Sequence, residues 1–436
     1  MLNSCFRLCC FFLFSITSYA WGQPLTPLSK IEVPFNQDTE VFSFTDNDGV
    51  TLLFRENGEA RLYLLNHDLS VRSSYIVRDL PQNQDLKELG FTNNEDGLSM
   101  YYWNEETDTY HSVYIQKDNG NVSPGSFQVG RTRKGNLYWG SFTYNGMLHI
   151  LRMPRNSQMI RICRFEGGEE FSAEEYKVSK RDFLEKTEDR LSRVETHPNL
   201  GLRDTYLPGK LYQYGEMVYL SLDENDSTFV VRINLGKGSK SEAAFPGPGF
   251  NPGEEQEIEI KSNSMIINQH LFQVSANKDS LFLQVRNMEN GKILKNYRYG
   301  TNEMIDIRQG EMEYIDDSGK SYLIKNTEEL LVQIADANYM AVCAIPDETY
   351  STVSLTVGAV QVSSVVGVSG IVLAEKVKTA HFRTLLDTYR FEPYPGPLAE
   401  VSDRFAQLPG KTHWTYQGKS FWGYYDAKNK AYLIGN

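Results

Sequence analysis

Cysteine is nearly absent from the part of this chain that carries its structure. Five occur in 436 residues, and three of them, Cys5, Cys9 and Cys10, fall in the first ten positions. The remaining two, Cys163 and Cys343, exclude a disulfide-built scaffold. They stand 180 residues apart in non-neighbouring units of the repeat described below. A bridge needs Cα atoms within about 7 Å, so two buried free thiols are expected. Basic residues are also short: 44 Lys and Arg against 56 Asp and Glu give a net charge of −12. That balance excludes a nucleic-acid binder that works by neutralising phosphates. Long apolar runs are missing too. The stretch from Thr352 to Ala374 has no charge over 23 residues, but it holds four Ser, one Gln and three Gly. Its β-branched residues read as buried strands rather than a membrane span.

Short catalytic signatures are equally scarce. No Gly-x-Ser-x-Gly elbow occurs, and no two of the seven His residues (67, 111, 149, 197, 270, 381 and 413) have metal-ligand spacing. A zinc site assembled from distant parts of the chain is the only metal reading left open, and a lone strand His is more often structural. Asp46-Asn47-Asp48-Gly49 resembles the start of a calcium loop, but its twelfth position is Asn57 where a bidentate Glu is required. Asn93–Gly97 and Asp316–Gly319 fail in the same way, and all three read as hairpin turns. Acidic pairs such as Glu169/Glu170, Glu174/Glu175, Glu254/Glu255 and Glu328/Glu329 read as solvated surface. Gly247-Pro-Gly249 with Pro252-Gly253 reads as a connector and not as a phosphate loop. No catalytic, cofactor or metal residue is assigned.

What the chain does have is an N-terminal leader, an excess of aromatics and a repeat. Residues 1–20 read as a secretory signal peptide. Arg7 is the only charge, about ten apolar residues follow from Leu8 to Thr17, and Ser18-Tyr19-Ala20 places small residues for cleavage before Trp21. The mature chain, 21–436, would then carry 43 basic and 56 acidic residues, a net charge of −13. The aromatics, 26 Tyr and 23 Phe, include the clusters Tyr101-Tyr102-Trp103, Tyr138-Trp139, and Trp414 to Tyr425. Strand alternation sends about half of such residues into a core, where most of these are expected.

The repeat unit is an apolar strand, a turn, a second apolar strand, a polar gap and a third strand. The turns fall at Gly49, Gly97, Gly146, Gly215, His270, Gly319 and Gly418, with spacings of 48, 49, 69, 55, 49 and 99. Gly and Asn at these points supply the positive φ that tight hairpins need. A period near 49 with three or four strands is the spacing of β-propeller blades. The gap of 69 holds a predicted helical insertion near 179–197, with Phe183, Thr187, Leu191 and Val194 on one stripe. The gap of 99 leaves room for a weak eighth unit near Gly370 and a second short helix at 397–408. The seventh unit runs out after three strands, and Ile31–Phe35 is available to add the fourth and remove a free edge.

This layout resembles that of secreted β-propeller proteins over nearly all of residues 31–436. The chain lacks the Trp-Asp dipeptide of WD40 blades and the Ser-x-Asp-x-Gly-x-Thr-Trp box of sialidases. Its one double glycine, Gly167-Gly168, does not recur as in kelch repeats. The resemblance therefore implies a fold, an all-β single propeller of about seven blades (six to eight), and no site residues. The expected product is a secreted or periplasmic monomer, without cofactor or nucleic acid, that binds a protein or glycan. The alternative is a carbohydrate-active hydrolase or lyase with residues converging on a central funnel. Asn121 and Asn225 match the glycosylation sequon.

Overall fold

The computed structural model describes residues 27–436 except 37–38, 57, 79, 82–85, 129–135, 155–156, 169, 188–190, 195–199, 251–259, 348–349, 367–371, 397–408, 411, 418 and 436. Seven sheets follow one another along the chain. The first is Glu40–Asp46, Gly49–Glu56, Glu59–Leu65 and Val71–Val77, hydrogen-bonded in that order and antiparallel throughout. Sheets over 86–127, 136–177 and 261–300 repeat this order. The fourth sheet spans Gly209–Tyr214, Met217–Asp223, Ser227–Asn234 and Ser239–Pro246, and the short strand Leu191–Arg193 adds a parallel edge to it. Among the described residues these seven successive sheets constitute a β-propeller of about seven blades, with the sixth sheet departing from the simple up-and-down order.

The physical reason for the pattern lies in the second strand of each sheet. Gly49–Glu56, Gly97–Asn104, Met147–Pro154 and His270–Ala276 are buried on both faces, which explains their nearly continuous apolar sequences. Fourth strands such as Val71–Val77 and Ser239–Pro246 are mostly exposed and carry polar or charged residues, which discourages edge pairing with other chains. The seventh sheet supplies only three strands of its own. Ser29–Glu32 completes it, running antiparallel to Ala431–Gly435 with Ile31 opposite Tyr432. The N-terminal strand thus closes the sheet as expected, two residues earlier than Ile31–Phe35.

The chain divides into two compact units. One holds the first and seventh sheets with residues 115–122, around a core of Val50, Leu52, Phe54, Trp414, Tyr432 and Ile434. The other holds the fourth, fifth and sixth sheets among others, with a core running through Met265, Phe272, Leu330, Val342 and Phe382.

Three expectations need correction. The insertion near 179–197 is not one amphipathic helix: α1 covers only Phe183–Thr187, and Leu191 lies in the strand paired with Gly209–Leu211. Within α1 the Thr187 hydroxyl donates to the Phe183 carbonyl one turn earlier at 2.9 Å. A second helix, α2, follows at Leu202–Thr205. The segment after Gly319, expected to contain a third strand, forms the helix α3, Thr327–Asp336. Asn326 caps it by accepting from Glu329 N at 2.9 Å, and Glu329 in return accepts from the Lys325 N–H, so local capping overrides the apolar run. Among the described residues no separate eighth sheet is present. Thr352–Val366 and Val372–Asp387 lie in the sixth sheet, flanked by Tyr339–Asp347 on one side and Met312–Ile315 with Ser321–Ile324 on the other. Gly370 and the helix expected at 397–408 fall outside the described residues. The described parts of the uncharged segment are strand, buried over most of Thr352–Val360 but exposed at Gln361, Ser363 and Ser364, and no described helix is long and apolar enough to cross a membrane.

Closure by the N-terminal strand has a measurable consequence. Ile31 is 2% exposed, whereas Ile76 on a fourth strand is 50% exposed. Ile31→Ala is expected to cost about 2–4 kcal/mol in denaturant unfolding, and Ile76→Ala about 0.5 kcal/mol or less.

Candidate functional site

Four turns in the second unit frame a cleft of about 540 Å³, within the range of small-ligand sites. The fourth sheet contributes Tyr214 and Tyr219 from either side of the Gly215 turn. The fifth contributes its Ile267–His270 hairpin and Phe272. The sixth contributes Pro346, Asp347 and Ser351–Val353 from one turn, and Thr388 with Phe391 from the turn after Val372–Asp387. Three of these residues hold a left-handed backbone without being glycine: Asn268 at φ 52°, Ser351 at 51° and Phe391 at 56°. A bulky residue in that region costs roughly 1–3 kcal/mol and persists only where its surroundings enforce it.

The enforcing contacts are visible. Asp387 accepts from the backbone N–H groups of Tyr389, Arg390 and Glu392. Burial alone would raise the Asp387 pKa, but these donors outweigh it and hold the carboxyl below its ordinary value. The Phe391 carbonyl accepts from the Tyr297 hydroxyl at 2.6 Å. Thr388 ties the two turns of the sixth sheet together by donating both its N–H and its hydroxyl to the Ser351 carbonyl. His270 packs edge-on to the Phe391 ring at 5.0 Å, and burial lowers its pKa, so the imidazole is neutral near pH 7. Asp347 is half-buried and accepts from the Tyr350 N–H at 3.3 Å. Next to the lining residues in sequence, Tyr350 precedes Ser351 and is 67% exposed, and Tyr389 follows Thr388 and is 82% exposed.

The fourth sheet carries a buried charge pair that also bonds to the fifth. Lys210 Nζ donates to Asp223 Oδ2 at 2.7 Å, with both side chains essentially inaccessible. Asp223 also accepts from the Thr228 hydroxyl and from Ser264 N, each at 2.9 Å. Burial lowers the Lys210 pKa although Asp223 opposes the shift. Tyr214 itself reaches across to donate to the Ile266 carbonyl at 2.6 Å.

The residues singled out in the sequence take mostly structural places. The three calcium-like loops are turns closed by their own side chains, with Asp46, Asn94 and Asp316 each accepting from backbone N–H groups just ahead. His149 is buried against Phe142, His381 is buried beside Glu313, and His67 is on the surface next to Tyr416. His197 lies outside the described residues. Among the described His side chains only His270 lines the cleft, and among the described residues no group of three His, Cys, Asp or Glu is placed to hold a metal ion. Glu174 and Glu175 are exposed, and Glu254/Glu255 lie outside the described residues. Cys163 and Cys343 are buried free thiols, pushed up by burial to about 11 and about 12. Tyr101, Trp103, Trp139, Trp414 and Phe421 are core residues. The exposed Tyr350 and Tyr389 belong to none of the aromatic clusters. Their only local signal is a lone Tyr in each of two polar turns. The sequon residues Asn121 and Asn225 are both exposed at turns.

No family model and no curated protein matches the chain. Among solved structures, it is similar to a protein from Lactobacillus plantarum (8% identity, 79% of this chain and 86% of that one, TM-score 0.27). It is also similar to the β-propeller domain of Nup133 from Vanderwaltozyma polyspora (8% identity, 84% and 88%, TM-score 0.31) and to the dihydro-heme d1 dehydrogenase NirN (11% identity, 82% and 69%, TM-score 0.31). Likenesses this distant carry no argument, and the propeller assignment rests on the strand order itself.

Two stability experiments follow from these buried groups. Removing one partner of the charge pair, as in Lys210→Met or Asp223→Ala, is expected to cost about 3–5 kcal/mol. Asp223→Ala should be the more damaging, since it strands an ammonium and two neutral donors. His149 binds its proton only near pH 4 in the native state, because burial penalises the charged ring, against 6.5 when unfolded. The unfolded chain therefore takes up the proton first as pH falls. Stability contributed by the neutral ring is complete above pH 6.5 and is lost between 6.5 and 4, by at most about 3 kcal/mol. Thermal melting of His149→Gln is expected to show a flatter decline across that window.

Proposed function

We propose that the chain is an extracytoplasmic, secreted or periplasmic, propeller domain spanning 21–436. On this reading it is led out by residues 1–20 and works as a monomer that binds a protein or glycan at the Tyr214–Phe391 cleft. The observation that supports this reading is the make-up of the lining. Its described residues are aromatic, aliphatic or neutral polar, with one carboxylate, Asp347. Glycoside hydrolysis by its usual route needs two carboxyl groups about 5–10 Å apart. Asp387, beside the rim, has its oxygens committed to three backbone N–H groups.

A specific observation also favours the second reading, a hydrolase or lyase. His270 is neutral near pH 7, as a general base requires, and it shares the cleft with Asp347. One experiment addresses both readings. Full-length protein expressed with residues 1–20 is expected to be exported and to begin at Trp21 by N-terminal sequencing. The purified mature form should show saturable capture of a ligand from its native surroundings, with no product detected by mass spectrometry. Product release abolished by Asp347→Asn or His270→Ala would replace binding by catalysis.

A further inference from the structure

We propose that the interface between the fourth and fifth sheets is a binding site for fixed internal water, held by the Lys210 ammonium and the hydroxyls of Tyr212, Ser221 and Ser264. Strand register builds the site. Lys210 lies opposite Ser221, and Tyr212 opposite Tyr219, across the first two strands of the fourth sheet. Side chains two residues apart on a strand share a face, so Asp223 joins this group. That face meets the fifth sheet. Asp223 accepts from the Ser264 N–H, and Gln273 reaches over to the Thr228 hydroxyl and the Phe245 carbonyl. Ser264 stands opposite Gln273 in register, so its side chain also points toward the fourth sheet. The cluster is enclosed: Lys210, Ser221 and Ser264 are 0% exposed and Tyr212 is 1% exposed.

The protein does not meet the hydrogen-bonding capacity of these groups. An ammonium carries three N–H donors, and Lys210 directs one bond, of 2.7 Å, to Asp223. The hydroxyls of Ser221 and Ser264 have no protein partner. That of Tyr212 is near Ser221 but makes no bond of proper geometry. Asp223 does not supply the missing acceptors, since its oxygens already receive Lys210, Thr228 and the Ser264 N–H. A buried polar group without a partner costs its full desolvation, and here three hydroxyls and an ammonium share one interface. Water answers them together, because it donates and accepts, and buried water typically makes about three bonds to groups of this kind. Charge selects water over an ion. Lys210 and Asp223 balance one another, so an added anion or cation would leave a net charge buried, and water adds none. The bound water would tie Lys210 and Ser221 of one sheet to Ser264 of the next. Ser264 is two residues from the Ile266 carbonyl, to which Tyr214 of the cleft wall donates.

Two independent measurements test the site. A high-resolution crystal structure of the purified protein, from crystals grown in bromide, locates bound solvent, and oxygen-17 relaxation dispersion counts long-lived internal water in solution. Ordered water within hydrogen-bond distance of Lys210 Nζ and Ser264 Oγ is expected. The dispersion signal should fall in Ser264→Val, whose extra methyl groups take up the space. Unfolding in urea supplies the second measurement. Deleting a hydroxyl that truly lacks a partner relieves its desolvation, so Ser221→Ala, Ser264→Ala and Tyr212→Phe would stabilise a dry interface. With water bonded to these hydroxyls, each variant is expected instead to raise the unfolding constant about three-fold or more. A dry interface in the crystal, or variants that leave stability unchanged or raise it, overturns the site. Bromide at Lys210, identified by its anomalous scattering, overturns the assignment of a neutral ligand.

Discussion

The pairing of Ser29–Glu32 with Ala431–Gly435 is the constraint on which the remaining architecture depends. Those partners are roughly 400 residues apart in the chain. Without the N-terminal strand, the seventh sheet would expose Ala431–Gly435, all five residues of which are buried. A buried apolar strand left as an edge is both unstable and prone to pair with other chains. The closure entropy of so long a loop grows only logarithmically with length. The cost is therefore kinetic more than thermodynamic, because the contact forms only after the last residues are available. Side-chain contacts reinforce the pairing: Ser29 donates to the Leu69 carbonyl, and Ile31 joins the core with Tyr432 and Phe54.

Given such sheets, chemistry falls to the turns. The second strands are committed to packing on both faces, so most of their side chains meet no solvent, and the fourth strands are mostly exposed. A concave surface then arises where neighbouring turns differ in length or conformation. In the fourth, fifth and sixth sheets it arises around three left-handed residues, one of them a phenylalanine. Phe391 packs against both His270 and Phe272, so the strain of its backbone is offset by burial of its ring. Function placed on rigid, internally bonded turns is the usual division of labour between scaffold and site.

Much of this was legible in the sequence, and what was not has identifiable reasons. The blade period could be read because glycine marks the first turns at 49, 97 and 146, spacings of 48 and 49, and Gly49 and Gly146 hold the positive φ there that glycine adopts most easily. The seventh unit's missing strand could be anticipated because a three-strand remainder leaves an edge. The helix α3 was misread although its signal was present: Asn326 followed by Glu329 marks a helix start, and Ile324 and the apolar Leu330–Ile334 run then resemble strand only if that cap is ignored. The sixth sheet misled because its two long strands, of 15 and 16 residues, together span almost a full period. The cleft was not legible at all. Its lining comes from positions between 214 and 391, brought together only by packing. No local spacing encodes that convergence.

The buried Lys210–Asp223 pair connects these two levels. Away from bulk water an ion pair rarely stabilises a protein more than well-packed apolar groups would. Its strength is geometric: Asp223 can satisfy its oxygens only if Lys210, Thr228 and the Ser264 backbone N–H converge on it. Ser264 belongs to the fifth sheet and the others to the fourth, so the pair fixes how those two sheets meet. Two residues beyond Ser264, the Ile266 carbonyl receives the hydroxyl of Tyr214, and Tyr214 forms one wall of the cleft. Apolar packing tolerates sliding by fractions of an ångström, whereas a three-donor carboxylate does not. The charge is buried where registry between the two sheets also sets the position of Tyr214, so this costly interaction serves to fix that registry.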